Sequence, residues 1–272
     1  MRAASSPGRS RTVTAASERL VTLDSWKDSG MFTPPLPYSP RPSDPSKWRS
    51  APAPPVGPGL VPFITQREGE DAAPDNLILL PHTDGRLHLH YLDEDARDRD
   101  PRGVLWARCS FNPLDARGQP TGRPQWKLMH PYRQLMCMQA LHCQICAEPA
   151  RTPLGLIFLA GPHDRAPDAA QVLTNQPPVC ARHVRTAARV CPHLQGRPTV
   201  HLAESAPLYG VTGTFYGMGP YGVQPVAQPV PPLPYGHPDI SSFLASQQIR
   251  RLHSFRTLDV DQLVRELATP AA

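Results

Sequence analysis

The stretch Cys143-Gln144-Ile145-Cys146, followed further along the chain by Cys180-Ala181-Arg182-His183, carries the strongest signal for the fold. Zinc binds four soft or borderline ligands in a tetrahedron, and pairs of ligands separated by two residues supply them readily. The sequence therefore predicts one structural zinc ion bound by Cys143, Cys146, Cys180 and His183.

The segment between the two ligand pairs predicts a β-hairpin. Residues 154–160 are apolar and read as a strand, Gly161-Pro162 turns the chain, and residues 171–174 can return as a second strand. A helix over 181–190 follows, and on it positions 180 and 183 lie one turn apart on one face. The order of knuckle, hairpin and helix predicts a treble-clef-like fold, in which the ion replaces a core too small to be stable alone.

The fourth zinc ligand has an alternative in Cys191-Pro192-His193, which closes the predicted helix. At a rise of about 1.5 Å per residue, Cys191 would lie about 16 Å from Cys180 along a straight helix. Either Cys191 or His193 could replace His183 only if the helix ends early. The remaining candidates are expected to be structural: Cys109, Cys137 and His142.

Two other interpretations of Cys143 and Cys146 are buried, chemically idle thiols and a redox pair. A redox CxxC motif usually follows a strand and opens a helix. Here a helix is predicted before Cys143, over 130–142, with Pro131 in its first turn, and Pro149 prevents continuation beyond the motif. The context therefore favours metal binding. The residues at helical spacing in 130–142 are Tyr132, Leu135, Met136, Gln139 and Ala140.

Upstream of this helix, the sequence predicts a small antiparallel β meander. Residues 76–80 and 87–92 read as strands joined at Asp84-Gly85, a strong hairpin signal, and residues 104–109 form a third strand candidate. Downstream, the glycine-rich residues 210–222 read as a strand with a loop. Residues 220–238 read as a proline-rich linker.

Two C-terminal helices are predicted after the linker. The first has apolar and amide residues at helical spacing: Phe243, Leu244, Gln247, Gln248, Arg251 and Leu252. Thr257 or Asp259 caps the second. The apolar stripe of the second helix consists of Val260, Leu263, Val264 and Leu267.

Proline is the anomaly of the composition, at 36 of 272 residues. Dense proline excludes helix and central strand, and residues 1–60 are therefore predicted to be a disordered tail. The predicted fold is α+β, with five parts: the tail at 1–60, a β-rich segment at 61–128, the zinc module at 129–219, the linker at 220–238 and the helices at 239–272.

The charge is mildly basic, at +5, which permits a nucleic-acid partner without requiring one. Arg182, Arg185 and Arg189 recur at spacings of three and four on the predicted 181–190 helix. They could contact phosphates, although a solvated helix face has the same pattern. No apolar run is long enough to span a membrane, and no secretory signal opens the chain. We therefore expect a cytoplasmic protein with reduced thiols and no membrane partner.

The cysteine and histidine pattern also resembles a family of uncharacterised actinomycete proteins. The similarity lies in Cys143-Gln144-Ile145-Cys146, in Pro177-Pro178-Val179-Cys180 and in Cys191-Pro192-His193-Leu194. It extends to residues 209–213 and 234–238 and covers roughly residues 100–255. The resemblance implies no activity, but it implies that Cys191 and His193 matter.

These observations predict a non-enzymatic zinc-binding module that contacts nucleic acid or a protein, and they indicate no small-molecule substrate. The alternative is a metal-dependent nuclease of the His-Asn-His type, which is built on a similar knuckle, hairpin and helix. Such an enzyme needs a general base on the hairpin and a second His or Asn on the helix. His163-Asp164 is the candidate dyad, but the helix offers only His183. A disulfide-exchange enzyme is a third, weaker possibility.

Overall fold

The computed structural model describes residues 20–21, 60–72, 76–116, 119–161, 171–191, 194 and 198–268. The predicted disordered tail, residues 1–60, lies outside this part of the chain except for Leu20, Val21 and Leu60. The candidate residues His163, Asp164 and His193 also lie outside it. Within the described residues the protein is mostly β-structure with a few helices, in agreement with the predicted α+β class.

The described chain contains three α-helices, which are α1 (Pro131–Ala140), α2 (Val184–Val190) and α3 (Val260–Ala268), and a short 3₁₀ helix over Pro238–Ser242. Its first strands are β1 (Leu20–Val21), β2 (Thr65–Arg67), β3 (Leu77–Pro81), β4 (Leu87–Tyr91), β5 (Leu105–Trp106) and β6 (Pro124–Met129). The later strands are β7 (Leu156–Ala160), β8 (Val172–Thr174), β9 (Thr199–Ser205), β10 (Leu208–Gly219), β11 (Gly222–Ala227), β12 (Leu233–Pro234) and β13 (Phe243–Asp259).

Strand β13 organises the largest sheet, which joins nine of the described strands. Its first half pairs with β10 and, in parallel, with β5; its middle pairs with β8; its last part pairs with β9. Strand β9 then pairs with β7, and β10 pairs with β11 and β12. One long strand therefore links the strands beside the predicted metal ligands to the rest of the molecule.

The prediction of a helix over the residues of β13 is wrong. Both faces of this strand are buried in part, and Gln248 and Arg250 are buried along with Ile249. A strand that is buried on both faces does not alternate between polar and apolar residues. The same residues fall by chance at three- and four-residue spacings, which is why the sequence reads as an amphipathic helix.

The proline-rich stretch 220–238, predicted as a linker, contains strands β11 and β12 of the large sheet. The prolines of these strands stand near the sheet edge, where a missing N–H is tolerated. The glycine-rich prediction is confirmed, because residues 208–219 form β10. At Gly210 a Cβ atom would collide with the carbonyl oxygen of Leu233, so only glycine allows β12 to approach this closely.

The predicted hairpin at Asp84-Gly85 is confirmed by β3 and β4, which pair in register from Leu77 with Tyr91 to Pro81 with Leu87. Gly85 has a φ of 78°, as a tight hairpin turn requires. The predicted third strand of the meander does not join this hairpin. Strand β5 pairs in parallel with β13 instead, so the three-stranded meander is wrong.

The pairing of β7 and β8 also departs from the prediction. In a treble clef these strands would form the hairpin between the two ligand pairs. In the described chain β7 pairs with β9, and β8 pairs with β13 and β1. The elements occur in the predicted order along the chain, but the sheet takes both strands as partners for distant segments.

Helix α1 confirms the helix predicted over 130–142, and Pro131 lies in its first turn. The buried face differs from the predicted one, since Gln139 and Ala140 are exposed. The buried residues are Tyr132, Arg133, Gln134, Cys137 and Met138. Two of them are polar and have partners on other elements, which periodicity cannot reveal.

Helix α3 confirms the second C-terminal helix. The N–H of Gln262 donates to the Asp259 carboxylate at 2.6 Å, so Asp259 caps the helix as predicted. Leu263 is fully buried, and Val260, Val264 and Leu267 pack against the same apolar cluster. That cluster also surrounds the predicted zinc ligands.

Candidate metal centre

The first ligand pair lies on a tight knuckle directly after α1. The helix ends at Leu141, which has a left-handed φ of 54° and donates its N–H to the Cys137 carbonyl. The chain then folds back on itself, because the Cys143 N–H donates to the Glu148 carbonyl at 2.7 Å and the Ala147 N–H donates to the Cys143 carbonyl at 2.8 Å. Ala147 has a φ of 60°, in the left-handed region that residues other than glycine seldom adopt, and this conformation turns the chain back.

The knuckle also points a backbone donor at one sulfur. The Ile145 N–H donates to the Cys143 Sγ at 3.4 Å. A hydrogen bond of this kind favours the thiolate form, which is the form that binds a metal. The knuckle thus supplies one contact that favours the Cys143 thiolate, and this contact opposes the burial and the neighbouring thiols, which favour the thiol form.

The second ligand pair is fixed against the first by the backbone. The Gln144 N–H donates to the Pro178 carbonyl at 2.9 Å, and the Val179 N–H donates to the Ile157 carbonyl at 2.8 Å. The His183 N–H then donates to the Cys180 carbonyl at 3.0 Å, which closes a turn immediately before α2. Helix α2 begins at Val184, so the pair lies on this turn. The prediction that Cys180 and His183 lie on one face of the helix is therefore wrong.

The four predicted ligands come together in one group, which we call the Cys3His cluster: Cys143, Cys146, Cys180 and His183. Their ligand atoms all lie within 4.8 Å of one another. The sulfurs of Cys146 and Cys180 are 4.0 Å apart, and the Nδ1 of His183 is 3.2 Å from the Cys180 sulfur and 4.0 Å from the Cys143 sulfur. A tetrahedral zinc site has ligand-to-ligand edges of about 3.5–3.8 Å, given its bond lengths. The cluster has the size of such a site.

The Cys3His cluster is shielded from water. Cys143 and His183 are fully buried, Cys146 is buried, and Cys180 is half-buried. The apolar residues packed around it include Ile145, Val179 and Val184. None of the four members forms a disulfide with another cysteine, so all three sulfurs can act as ligands.

Three thiols and an imidazole share one small space in the cluster, so each group affects the protonation of its neighbours. Hydrogen bonds from Cys143 and Cys146 hold the pKa of the Cys180 thiol far below its usual value. Hydrogen bonding with Cys146 and Cys180, together with burial, raises the pKa of the Cys143 thiol. Hydrogen bonds with Cys146 and Cys180 raise the pKa of His183 to about 9. Burial and the neighbouring groups therefore favour the thiol form of Cys143 and the thiolate form of Cys180, whereas a bound divalent cation would deprotonate every thiol that binds it.

The second ring nitrogen of His183 gives a further clue. Nδ1 faces the sulfurs, while Nε2 is buried without a hydrogen-bond partner among the described residues. A buried donor without a partner costs about 1–3 kcal/mol, so the orientation of this ring must be stabilised by what Nδ1 contacts. Metal coordination through Nδ1 would provide that stabilisation.

Of the two alternative ligands, Cys191 is described and lies outside the Cys3His cluster, whereas His193 is outside the described residues. Cys191 follows α2 and donates its N–H to the Ala187 carbonyl, and it is not part of the Cys3His cluster. Its side chain lines an apolar cavity of about 120 Å³ together with Leu194 and His201. Cys109 and Cys137 are both buried, Cys137 in an apolar cluster with Phe63 and Ile64, and burial raises the pKa of Cys109 to about 12.

The three candidate arginines are all exposed. Arg182 lies in the turn before α2, so only Arg185 and Arg189 are related by helical spacing. The prediction that all three arginines lie on one helix face is therefore wrong. The guanidinium of Arg185 lies 3.9 Å from the Asp261 carboxylate of α3, with 61% and 80% of the two side chains exposed. An ion pair this open to water contributes little, and Arg185 could exchange it for another anion.

One group of potential ligands was missed in the sequence. His82, Asp84 and His88 also place their ligand atoms within 4.8 Å of one another, at the exposed tip of the β3–β4 hairpin. The signal was present, because the predicted Asp84-Gly85 turn brings the residues on its two sides together.

None of the helices in the described residues is long and apolar enough to cross a membrane. Comparison of the chain with protein-family models, with curated proteins and with solved structures found no match. The function must therefore follow from the chemistry of the residues described above.

Proposed function

We propose that this protein is a non-enzymatic binding module built around one structural zinc ion in the Cys3His cluster. The observation that carries the proposal is the burial of four ligand atoms within 4.8 Å of one another. Three sulfurs and one imidazole nitrogen are a preferred ligand set for zinc, and four protein ligands leave no position for substrate or water. The ion would act by holding the knuckle against the start of α2.

The zinc assignment is tested by the metal content of the purified chain. We expect about one zinc per chain, and less than about a third of an equivalent from metal-replete cells would overturn the proposal. Cobalt substitution adds a second measurement, because thiolate ligands give intense charge-transfer absorption. Cys180→Ser should lose the metal, whereas the matched variant Cys191→Ser should keep it. Loss of the metal from Cys191→Ser would instead assign a ligand role to the residues after α2.

We further propose that the module contacts nucleic acid through Arg182, Arg185 and Arg189. Their exposure beside a rigid metal centre supports this role, as does the basic net charge of +5. Each phosphate contact releases counterions, so the affinity should fall with salt. Replacing all three arginines by Gln should weaken binding and flatten the plot of log affinity against log salt by roughly two to three units.

The matched control replaces three exposed arginines elsewhere, Arg97, Arg123 and Arg151, and so changes the net charge equally. If both triple variants lose affinity alike, only overall charge matters and the arginines near α2 are not a specific surface. If the unaltered chain binds neither DNA nor RNA at low salt, a protein-contacting zinc module is the remaining form of the proposal.

The nuclease alternative gains no support from the described residues. His183, the histidine that such an enzyme would need beside α2, directs Nδ1 toward the sulfurs of the Cys3His cluster. Incubating plasmid DNA with the protein and Mg²⁺ or Mn²⁺ tests this alternative directly. A thiolate-rich zinc site needs reduced thiols, which agrees with the cytoplasmic location that we propose. The resemblance to the actinomycete family, which rests on the same cysteine and histidine pattern, is part of this proposal.

A further inference from the structure

The tip of the β3–β4 hairpin presents three potential metal ligands on a short, hydrogen-bonded turn. The His82 N–H donates to the Arg86 carbonyl at 2.9 Å, and the Gly85 N–H donates to the His82 carbonyl at 3.0 Å. Leu80 pairs with His88 in the last part of the ladder. The backbone of the hairpin therefore fixes the relative positions of His82, Asp84 and His88.

The side chains of these residues converge. The rings of His82 and His88 are stacked, with centroids 3.9 Å apart and planes inclined by 16°. The Nδ1 of His82 lies 3.4 Å from one carboxylate oxygen of Asp84, and the Nε2 of His88 lies 2.9 Å from the other. Each carboxylate oxygen thus faces one imidazole nitrogen. The 3.4 Å contact matches the ligand-to-ligand edge of about 3.3–3.5 Å expected from bond lengths of 2.0–2.1 Å, whereas the 2.9 Å contact is a hydrogen bond that a shared ion would replace.

We propose that His82, Asp84 and His88, here called the hairpin cluster, form a second metal site, which binds a divalent transition-metal ion such as Cu²⁺, Ni²⁺ or Zn²⁺. Two imidazoles and one carboxylate suit these ions, whereas Ca²⁺ and Mg²⁺ prefer oxygen ligands alone. With 49% of the His82 side chain and 44% of the Asp84 side chain exposed, the remaining coordination positions would be open to water or to a ligand from a partner.

The charges around the hairpin cluster are compatible with a bound cation. The guanidinium of Arg86, the nearest basic side chain along the chain, is turned toward Asp239, at 3.3 Å. The backbone N–H of Arg86 donates to the Asp84 carboxylate at 3.0 Å, which orients that group within the turn. The site is independent of the zinc proposal, because it shares no residue with the Cys3His cluster.

The relative affinities should follow the ligand chemistry. For nitrogen and oxygen ligands the divalent ions bind in the order Mn²⁺, Co²⁺, Ni²⁺, Cu²⁺, with Zn²⁺ weaker than Cu²⁺. The Cys3His cluster would favour softer ions through its thiolates. Nickel is therefore a suitable probe, since it can occupy the hairpin cluster while the zinc of the buried cluster stays in place.

The test measures Ni²⁺ binding to the full-length, untagged, zinc-loaded chain by equilibrium dialysis, with zinc content determined before and after. We expect one Ni²⁺ per chain in addition to the metal of the Cys3His cluster. The double variant His82→Asn, His88→Asn should bind Ni²⁺ at least tenfold more weakly. The matched control His253→Asn, which changes an exposed histidine of β13, should bind it as the unaltered chain does.

A second readout keeps the proposal testable if the double variant folds poorly. The electron paramagnetic resonance spectrum of the chain with one equivalent of Cu²⁺ should show coupling to two imidazole nitrogens. The single variant Asp84→Asn should weaken Cu²⁺ binding without loss of zinc. Failure of the unaltered chain to bind Ni²⁺ or Cu²⁺, or equal binding by the unaltered chain and the variants, would overturn the proposal.

Discussion

Helix α1 joins two regions that bury polar groups by different means. At its first turn, the guanidinium of Arg133 meets the carboxylate of Glu70, and both side chains are fully buried. Beyond its last turn lies the Cys3His cluster, in which three sulfurs and one imidazole are gathered under a similar apolar cover. In the first region a cationic side chain neutralises an anionic one. In the second, three sulfurs and one imidazole nitrogen can all donate electron pairs to a metal ion, and no lysine or arginine is part of the group.

The difference shows what each region needs in order to fold. Glu70 also accepts hydrogen bonds from the N–H groups of Arg67 and Asn112, at 2.7 and 3.3 Å, so the chain itself supplies partners for this buried carboxylate. In the Cys3His cluster, the backbone donor described for the three sulfurs is the Ile145 N–H, which reaches Cys143 at 3.4 Å. We therefore expect the first region to be stable without metal and the second to depend on it.

The largest expected effect is that of Cys180→Ala on the metal-dependent region. Structural zinc contributes on the order of 10 kcal/mol of apparent binding free energy in small zinc modules, and loss of one thiolate should remove a large part of it. Hydrogen exchange should become fast in residues 143–160 and 171–190, while β10 and the first half of β13 stay protected. Cys146→Ala should behave in the same way.

The control for this prediction is Cys191→Ala, which makes the same chemical change at a half-buried cysteine outside the cluster. It should leave the zinc content unchanged. If exchange in residues 171–190 of Cys180→Ala matches that of the unaltered chain, the comparison between the two regions fails, because the cluster would then fold without its ion.

The next effect concerns the buried ion pair. Glu70→Gln leaves the charge of Arg133 buried without a counter-charge, which should lower the free energy of unfolding by about 3–5 kcal/mol in urea titrations. The zinc content of the folded fraction should not change. The double variant Glu70→Leu, Arg133→Met removes both charges and should recover much of the loss. A loss below about 1 kcal/mol in Glu70→Gln would show that water already reaches the pair.

A smaller effect is expected for Gln134, which attaches α1 to the sheet. Its amide group donates to the carbonyls of Asn175 and Gln248, both at 2.8 Å, and its oxygen accepts from the Gln248 N–H at 2.9 Å. Gln134→Leu keeps the volume but leaves buried backbone groups unsatisfied, which should cost about 1–3 kcal/mol. Gln139→Leu, on the exposed side of the same helix, is the control and should be close to neutral in thermal unfolding.

Local signals in the sequence predicted the elements that depend on neighbouring residues. The two ligand pairs, the Pro131 start of α1, the Asp84-Gly85 turn and the Asp259 cap of α3 all depend on interactions within a few residues. Turn chemistry, capping and ligand spacing are physical constraints of short range. The grouping of the two pairs into one Cys3His cluster is not a short-range effect, since the pairs lie 34 residues apart. It was predicted from the requirement of one zinc ion for four ligands.

The elements that were predicted wrongly depend on distant partners. Strand β13 was read as a helix because Gln248 and Arg250 are polar and yet buried, with partners on α1 and beyond it. Strands β7 and β8 were read as a hairpin because they are close in sequence, whereas the sheet pairs β7 with β9. Periodicity records burial on one face only, and it contains no information about which strands pair.

The smallest expected effect is that of removing residues 1–59, and it tests whether the tail belongs to either region. Its proline density predicts that it does not fold on its own. Strand β1 nevertheless pairs in parallel with β8, through Leu20 with Leu173 and Val21 with Thr174. Two residues at the edge of a sheet add little, because a backbone hydrogen bond contributes about 1 kcal/mol and ordering each residue costs about 1–2 kcal/mol. A chain that begins at Leu60 should therefore keep its zinc and its free energy of unfolding within about 0.5 kcal/mol.

Val21→Pro in the full chain is the matched variant, because it removes one N–H donor and leaves the rest of the tail in place. A loss of zinc or of more than about 1 kcal/mol in both chains would make β1 part of the metal-dependent region, since β8 lies just before the second ligand pair. The same loss in the shortened chain alone would assign the stabilising contact to another part of the tail.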